Sequence, residues 1–400
     1  MSMPGGDVVR LSSLVLQLPG YSLLRNEQRK EKCKQRGQKI FDFGLGDPLE
    51  PTPAFIGKAL AEAIPDISQY PSAVGGLPLR KAFCQWMLRR CGVDLNPNLQ
   101  VISSNGSKEA IFHVPFLLAN PLSPRRVIVY PDPGFPVYKS GTMLAGLVGY
   151  PVTLDPLKQY VFDPDQIPPE LLPEVAAVWV SYPHNPTGAC ISLEQMHRIY
   201  QWALRHHIVL LSDECYLDMF FPGSQPPHSF LEVSKANQFK NVLAFHTLSK
   251  RSGMTGYRSG CVAGDSELIG AYAKLRPHIG LGTPEFVQAA ATAAWQDDVH
   301  VQERSHVFAH KRKLVDAFLT QHKFEFIESQ ATFYVWLKAP PSYPSAEDYC
   351  QWLADETGII ATPGDALGTT TSQWLRLALV PTSQAIEECL KLWKQALSKT

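Results

Sequence analysis

The chain reads as an α/β protein: a large domain with a mostly parallel sheet between helices, joined to a smaller α+β domain. Three observations predict this. At 400 residues the chain is too long for one compact core, since a domain commonly holds about 100–200 residues. Between residues 101 and 265 one pattern recurs, a short apolar run, a loop rich in Gly, Pro, Asn or Asp, then a helical period. Beyond it, a long helical stretch leads to further short apolar runs that need a second core.

Taken in order, residues 1–49 carry too few elements to fold alone and are expected beside the smaller domain. The runs 126–131 (RVIVYP), 175–182 (VAAVWVSY), 208–213 (IVLLSD), 242–250 (VLAFHTLSK) and 260–265 (GCVAGD) lack polar alternation and end in turn residues. That suits strands covered on both faces, hence a mostly parallel sheet. Residues 192–206 read as a helix with Ser192 as N-cap and Gln195 three residues on, a capping box. Residues 285–319 carry one long helical period, and 332–338 (TFYVWLK) and 373–381 (QWLRLALVP) are short runs of the second core. The expected division is 50–285 for the large domain, and 1–49 with 286–400 for the smaller one.

Composition narrows the function. A hydrophobic share of 45% with 18% charge excludes a disordered chain. Lys plus Arg equals Asp plus Glu at 37 each, so no charge excess points to nucleic acid or to an anionic membrane, and a small-molecule ligand is expected. Eight scattered cysteines form no C-x-x-C pair and no cluster with histidine, which reads as reduced thiols and no metal site. Every apolar stretch is interrupted before about 18 residues, and the first 20 residues lack a basic start and a cleavage site. A cytoplasmic protein is expected.

In open α/β sheets ligands bind beyond the carboxyl ends of the strands, so the residues after each run matter most. Segment 182–188 (YPHNPTG) sets Asn185 in a turn, which by itself is equally a plain tight turn. Segment 212–216 (SDECY) places Asp213 and Tyr216 at a strand end, where the acid could equally be a helix N-cap. In 246–260 (HTLSKRSGMTGYRSG), Lys250 follows a strand and Arg258 comes eight residues later, and a lone lysine there is usually solvated. Segment 105–110 (NGSKEA) is a glycine turn opening a helix, whose free N–H groups attract an anion. Arg376 interrupts an otherwise apolar strand, a costly placement unless the charge has a partner.

Together, and in that order, these segments resemble the class I aminotransferases, pyridoxal-phosphate (PLP) enzymes of fold type I, from 45–48 (LGDP) to Arg376. The resemblance implies that Lys250 forms the covalent link to the cofactor aldehyde and moves the substrate proton. It implies that Asp213 pairs with the pyridine nitrogen, and that Asn185 and Tyr216 hydrogen-bond the phenolate oxygen. Gly106, Ser107, Lys108, Thr247, Ser249 and Arg258 would hold the phosphate, with Phe135 stacked on the ring. Arg376 and Gly46, with Asn185, would meet the substrate carboxylate. Tyr70 would reach the neighbouring subunit's phosphate in a homodimer with shared sites, and Tyr21 would close over the substrate or simply pack.

Within the class, 246–265, 212–216, 52–60 and 294–301 are similar to bacterial succinyldiaminopimelate aminotransferases. The implied reaction joins N-succinyl-LL-diaminopimelate and the glutamate/2-oxoglutarate pair in lysine biosynthesis. A broad aspartate, alanine or aromatic aminotransferase, an LL-diaminopimelate aminotransferase, and a PLP carbon–sulfur lyase would keep the same residues.

Overall fold

The structure is a computed structural model that describes residues 12–18, 23–280 and 282–399. Twelve strands are found among them: β1 (Phe41–Asp42), β2 (Val101–Ser104), β3 (Val127–Asp132), β4 (Val148–Thr153), β5 (Val175–Ser181), β6 (Val209–Asp213), β7 (Val242–Thr247), β8 (Gly260–Gly264), β9 (Tyr334–Lys338), β10 (Ile359–Ile360), β11 (Thr362–Pro363) and β12 (Trp374–Ala378). Seven form one sheet in the order β2-β8-β7-β6-β5-β3-β4. Its pairings are parallel except around β8, which runs antiparallel to both β2 and β7. The mostly parallel α/β sheet expected from the sequence is therefore present.

Alternate residues of the central strands bury in different clusters. Val178, Val180, Leu210, Val242 and Ala244 pack into one, while Ala177, Trp179, Leu211, Leu243 and Phe245 pack into another. Successive side chains point to opposite faces, so a strand with two covered faces has no reason to alternate apolar with polar. Two strands of this sheet were not among the runs. β4 lies at the sheet edge with most of its residues exposed, and β2 is a short VISS segment that pairs with β8 and is wholly buried, its two serines included.

The helix Leu193–Arg205 opens with the expected capping box: Gln195 N–H donates to Ser192 Oγ at 3.2 Å, and Ser192 N–H to Gln195 Oε1 at 2.8 Å. Such a cap is worth about 1 kcal/mol. The long period 285–319 is two helices, Glu285–Gln296 and Val299–Gln321. They part at Asp297, whose carboxylate accepts from His300 N–H at 2.9 Å and so offers the backbone an alternative to helical continuation.

The remaining strands form smaller sheets. β11, β12 and β9 make an antiparallel three-stranded sheet, and β1 pairs in parallel with β10, Phe41 opposite Ile359. A third cluster holds Phe41, Phe43, Phe318, Leu353 and Trp393, so residues 41–43 pack with C-terminal elements. Among the described residues no helix is long and apolar enough to cross a membrane. All eight cysteines are unpaired thiols.

Candidate active site

The carboxyl ends of β5, β6 and β7 deliver Asn185, Asp213 and Lys250 to the same place, and the loop after β3 adds the apolar Phe135. β7 runs straight into the short helix Leu248–Arg251, capped by Thr247 Oγ1, which accepts from Ser249 N–H at 3.2 Å. This tight exit aims Lys250 back toward the strand ends, where its Nζ donates to the carbonyl of Gly46. A Cβ at Gly46 would collide with Tyr334 Oη, so glycine lets the backbone come this close.

Asp213 ends β6 and is buried. Its Oδ2 accepts from Tyr138 Oη at 2.7 Å and its Oδ1 from Cys215 N–H at 3.2 Å. Burial pushes its carboxyl above the usual carboxylate range, and the donors Cys215 and Tyr138 pull it back. Burial holds the Tyr138 phenol well above its ordinary value, so it stays a neutral donor. Three residues on, Tyr216 Oη lies 2.8 Å from Tyr334 Oη.

Arg376 reaches the same space from β12. It is 8% exposed, its Nη1 donates to Asn185 Oδ1 at 2.9 Å and its Nη2 to Gly44 O at 3.1 Å. Its Nε is buried and has no partner, a costly state that a bound carboxylate would relieve. The turn bearing Asn185 is pinned from behind by His184, whose pKa burial lowers to about 3. The neutral ring lies 2.8 Å from Thr187 Oγ1 and 3.1 Å from Pro133 O, tying the β5 loop to the β3 loop.

The glycine turn is built as the sequence suggests. Gly106 caps the helix Ser107–His113 with φ +82°, and a Cβ there would stand 2.5 Å from Arg258 Nη2. Asn105 N–H donates to Glu109 Oε2 at 2.5 Å, and Arg276 Nη1 holds the same oxygen at 2.9 Å. Arg258 closes the turn by donating to Asn105 O at 3.2 Å.

These groups surround one cavity of about 690 Å³. Of the residues singled out in the sequence, all line it except three. Gly106 shapes the turn behind the lining, Tyr70 is 95% exposed and away from this cavity, and Tyr21 lies outside the described residues. Sequence reasoning missed Tyr334, Cys215, Gly44 and Leu367 in the wall, and Tyr138 behind Asp213. Tyr334 sits inside an apolar run, where a tyrosine reads as core, and nothing local distinguishes it.

The family profile Aminotransferase class I and II matches residues 38–391. The chain belongs to this family. It is a PLP-dependent transaminase. The aminotransferase is 35% identical over 374 residues to the LL-diaminopimelate aminotransferase of Aquifex aeolicus (strain VF5), covering 92% of this chain and 95% of that one. A solved aminotransferase from Neisseria meningitidis Z2491 superposes with a TM-score of 0.88 at 27% identity, covering 97% and 100% of the two chains. A Thermus thermophilus structure described as a probable N-succinyldiaminopimelate aminotransferase has a TM-score of 0.85 over 94% and 100% of the chains, and at 23% identity it shares the fold alone.

The residues present in this aminotransferase fit PLP. The space beside Arg258 that a Cβ at residue 106 would fill, the orphaned Nε of Arg376 and the buried Asp213 carboxylate supply an anion cradle, a carboxylate grip and a partner for a protonated ring nitrogen.

Proposed function

We propose that this aminotransferase moves an amino group between LL-diaminopimelate and 2-oxoglutarate. The observation that carries the transaminase site is the convergence of Lys250 Nζ, the Asp213 carboxylate and the Arg376 guanidinium on one cavity. Support for the donor comes from the Aquifex relative, which bears that name and is matched over nearly its whole length. The succinylated donor expected from the sequence has weaker support, because the solved structure described with it shares the fold alone.

Bound in the cavity, PLP supplies an electron sink that makes the substrate Cα acidic. Lys250 would hold the cofactor through its ε-amine and, once displaced by substrate, take the proton from Cα at Nζ. Asp213 would keep the ring nitrogen protonated by presenting an ionised carboxylate across a buried contact. Tyr216 and Asn185 would donate to the ring's phenolate oxygen. Ser107, Lys108, Thr247, Ser249 and Arg258, around the Gly106 turn, would hold the phosphate. Phe135, edge-on to Tyr138 at 5.8 Å, would cover the ring face. Arg376, steadied by Asn185 and Gly44, would orient the α-carboxylate, with Gly46 admitting it closely.

The exposed Tyr70 ring supports a homodimer in which each subunit lends that tyrosine to its neighbour's phosphate site. The packing of Phe41 and Phe43 with C-terminal residues supports the division into 50–285 and 1–49 plus 286–400. We infer a cytoplasmic enzyme, as expected from the sequence.

A panel of half-reactions tests the proposal. The PLP-loaded protein is mixed with LL-diaminopimelate, its N-succinyl derivative, glutamate, aspartate, alanine and phenylalanine, and the absorbance change is followed. Rapid conversion by LL-diaminopimelate and glutamate is expected. Preference for the succinylated compound would restore the sequence-based substrate, equal use of aspartate, alanine and phenylalanine would mean a broad enzyme, and release of pyruvate, ammonia and a thiol from added cystathionine would mean a lyase.

A further inference from the structure

Tyr334 opens β9 and is 2% exposed. Its backbone is fixed at both ends: its N–H donates to Thr332 Oγ1 at 3.1 Å, and its carbonyl accepts from the buried Arg312 Nη1 at 2.9 Å. The β9–β12 register sets Tyr334 opposite Ala378 and Trp336 opposite Arg376, so Tyr334 and Arg376 are diagonal neighbours on one face of the sheet. The Arg376 guanidinium stands 4.3 Å from the centre of the Tyr334 ring. At the other end of that ring, the hydroxyl lies 2.8 Å from Tyr216 Oη, in a space kept open by the missing side chain of Gly46.

Two phenols 2.8 Å apart share one hydrogen, and which of them donates decides where the other proton points. A cation over a phenol ring stabilises negative charge on its oxygen, which makes that hydroxyl the stronger donor. The arginine sits over Tyr334. Tyr216 then accepts, and its own proton is turned into the cavity that it lines. Accepting a hydrogen bond also polarises Tyr216 into a better donor.

We propose that Tyr334 is a positioning residue for this transaminase: its hydroxyl aims and strengthens the Tyr216 donor, while its ring carries the Arg376 guanidinium. This rests on the roles proposed above for Tyr216 and Arg376. A single side chain would thereby link the carboxylate grip to the group facing the cofactor's phenolate oxygen.

The test uses the PLP-loaded protein and two readouts. The first, read before any substrate is added, is the pH at which the absorbance of the bound cofactor titrates. Tyr334→Phe should move it upward by about half a unit, the worth of one ordinary hydrogen bond. Tyr216→Phe should move it further in the same direction, and the double variant should match Tyr216→Phe alone, because Tyr334 acts through Tyr216. The second readout is the split between KM and kcat for the best amino donor of the panel. Tyr334→Phe keeps the ring and should leave KM within about twofold, whereas Tyr334→Leu should raise KM by about tenfold through loss of the cation–π contact. A downward or absent shift in Tyr334→Phe would overturn the proposal, since it would mean that Tyr216 donates to Tyr334 or that the pair does not act on the cofactor. Shifts that simply add in the double variant, or an unchanged KM in a well-folded Tyr334→Leu, would overturn it as well. Failure of the functional reading looks different: wild-type absorbance would then respond to none of the amino acids.

Discussion

The Tyr138 hydroxyl donates to Asp213 Oδ2 at 2.7 Å from a ring stacked on Trp179 at 4.8 Å. The contact is one of those that favour the acid's ionised form. Burial raises the Asp213 carboxyl above its ordinary range, and the bonds donated by Cys215 and Tyr138 oppose this. Tyr138→Phe should let the pKa climb further, moving the acid limb of the kcat/KM profile to higher pH and lowering kcat/KM at neutral pH by about tenfold. A pH–rate profile of the variant checks it.

Asp213→Asn should separate activity from stability. For a carboxyl raised in the fold, stability is fully present below the unfolded pKa and falls as pH rises through the folded value. At pH 8 the wild type therefore carries the cost of a buried charge that the amide does not. Calorimetry of the cofactor-free proteins should show the variant melting at least as high as the parent, while transamination falls by about two orders of magnitude or more.

Glu214, next to Asp213, titrates in the same sense. Its Oε1 accepts from Ser212 Oγ at 2.9 Å and Phe230 N–H at 2.8 Å, while its Oε2 has no hydrogen-bond partner and lies 3.5 Å from His246 Nε2. Burial raises its carboxyl from 4.5 to about 7. Stability linked to this group is lost between those values as pH rises, by at most about 3 kcal/mol. Urea unfolding of Glu214→Gln should show little difference from the parent at pH 4.5 and a growing advantage for the variant toward pH 8. A gap independent of pH would refute the buried titration.

Arg376→Lys replaces a fork that spans Asn185 and Gly44 with a point charge that cannot hold both and also face a carboxylate. KM for the amino donor should rise by about ten- to a hundredfold, with kcat affected less. Steady-state kinetics with the donor from the half-reaction panel decides this.

Gly106→Ala places a Cβ 2.5 Å from Arg258 Nη2 at a residue with φ +82°. Either the arginine or the turn must shift, at a cost of about 1–3 kcal/mol. Fluorescence titration should show PLP binding weakened by about tenfold or more, with a smaller effect on the melting of the cofactor-free protein.

Several features were legible because their causes are local. Ser192 and Gln195 announce a capping box through spacing alone, and the structure forms it. The runs of β5, β6 and β7 are uninterrupted because both faces of those strands are covered, a property written into composition. Lys250, Asp213 and Asn185 stood out as polar residues at strand ends and meet in one cavity. The features that escaped have distant causes, or local ones that apolar spacing hides. β4 is an edge strand whose exposed face breaks the apolar pattern. One helical period became two helices because Asp297 captures the His300 N–H.

By itself the sequence determined the α/β class, the strand ends that bear chemistry and the polar residues placed on them, since these follow from periodicity and turn chemistry within a few residues. The tertiary structure decided which groups touch. Tyr334 meets Arg376 through the register of β9 on β12, and Tyr138 reaches Asp213 across 75 positions of chain. Such pairings depend on how strands and helices pack, and a hydroxyl in an apolar run carries no local mark of the partner that packing brings to it.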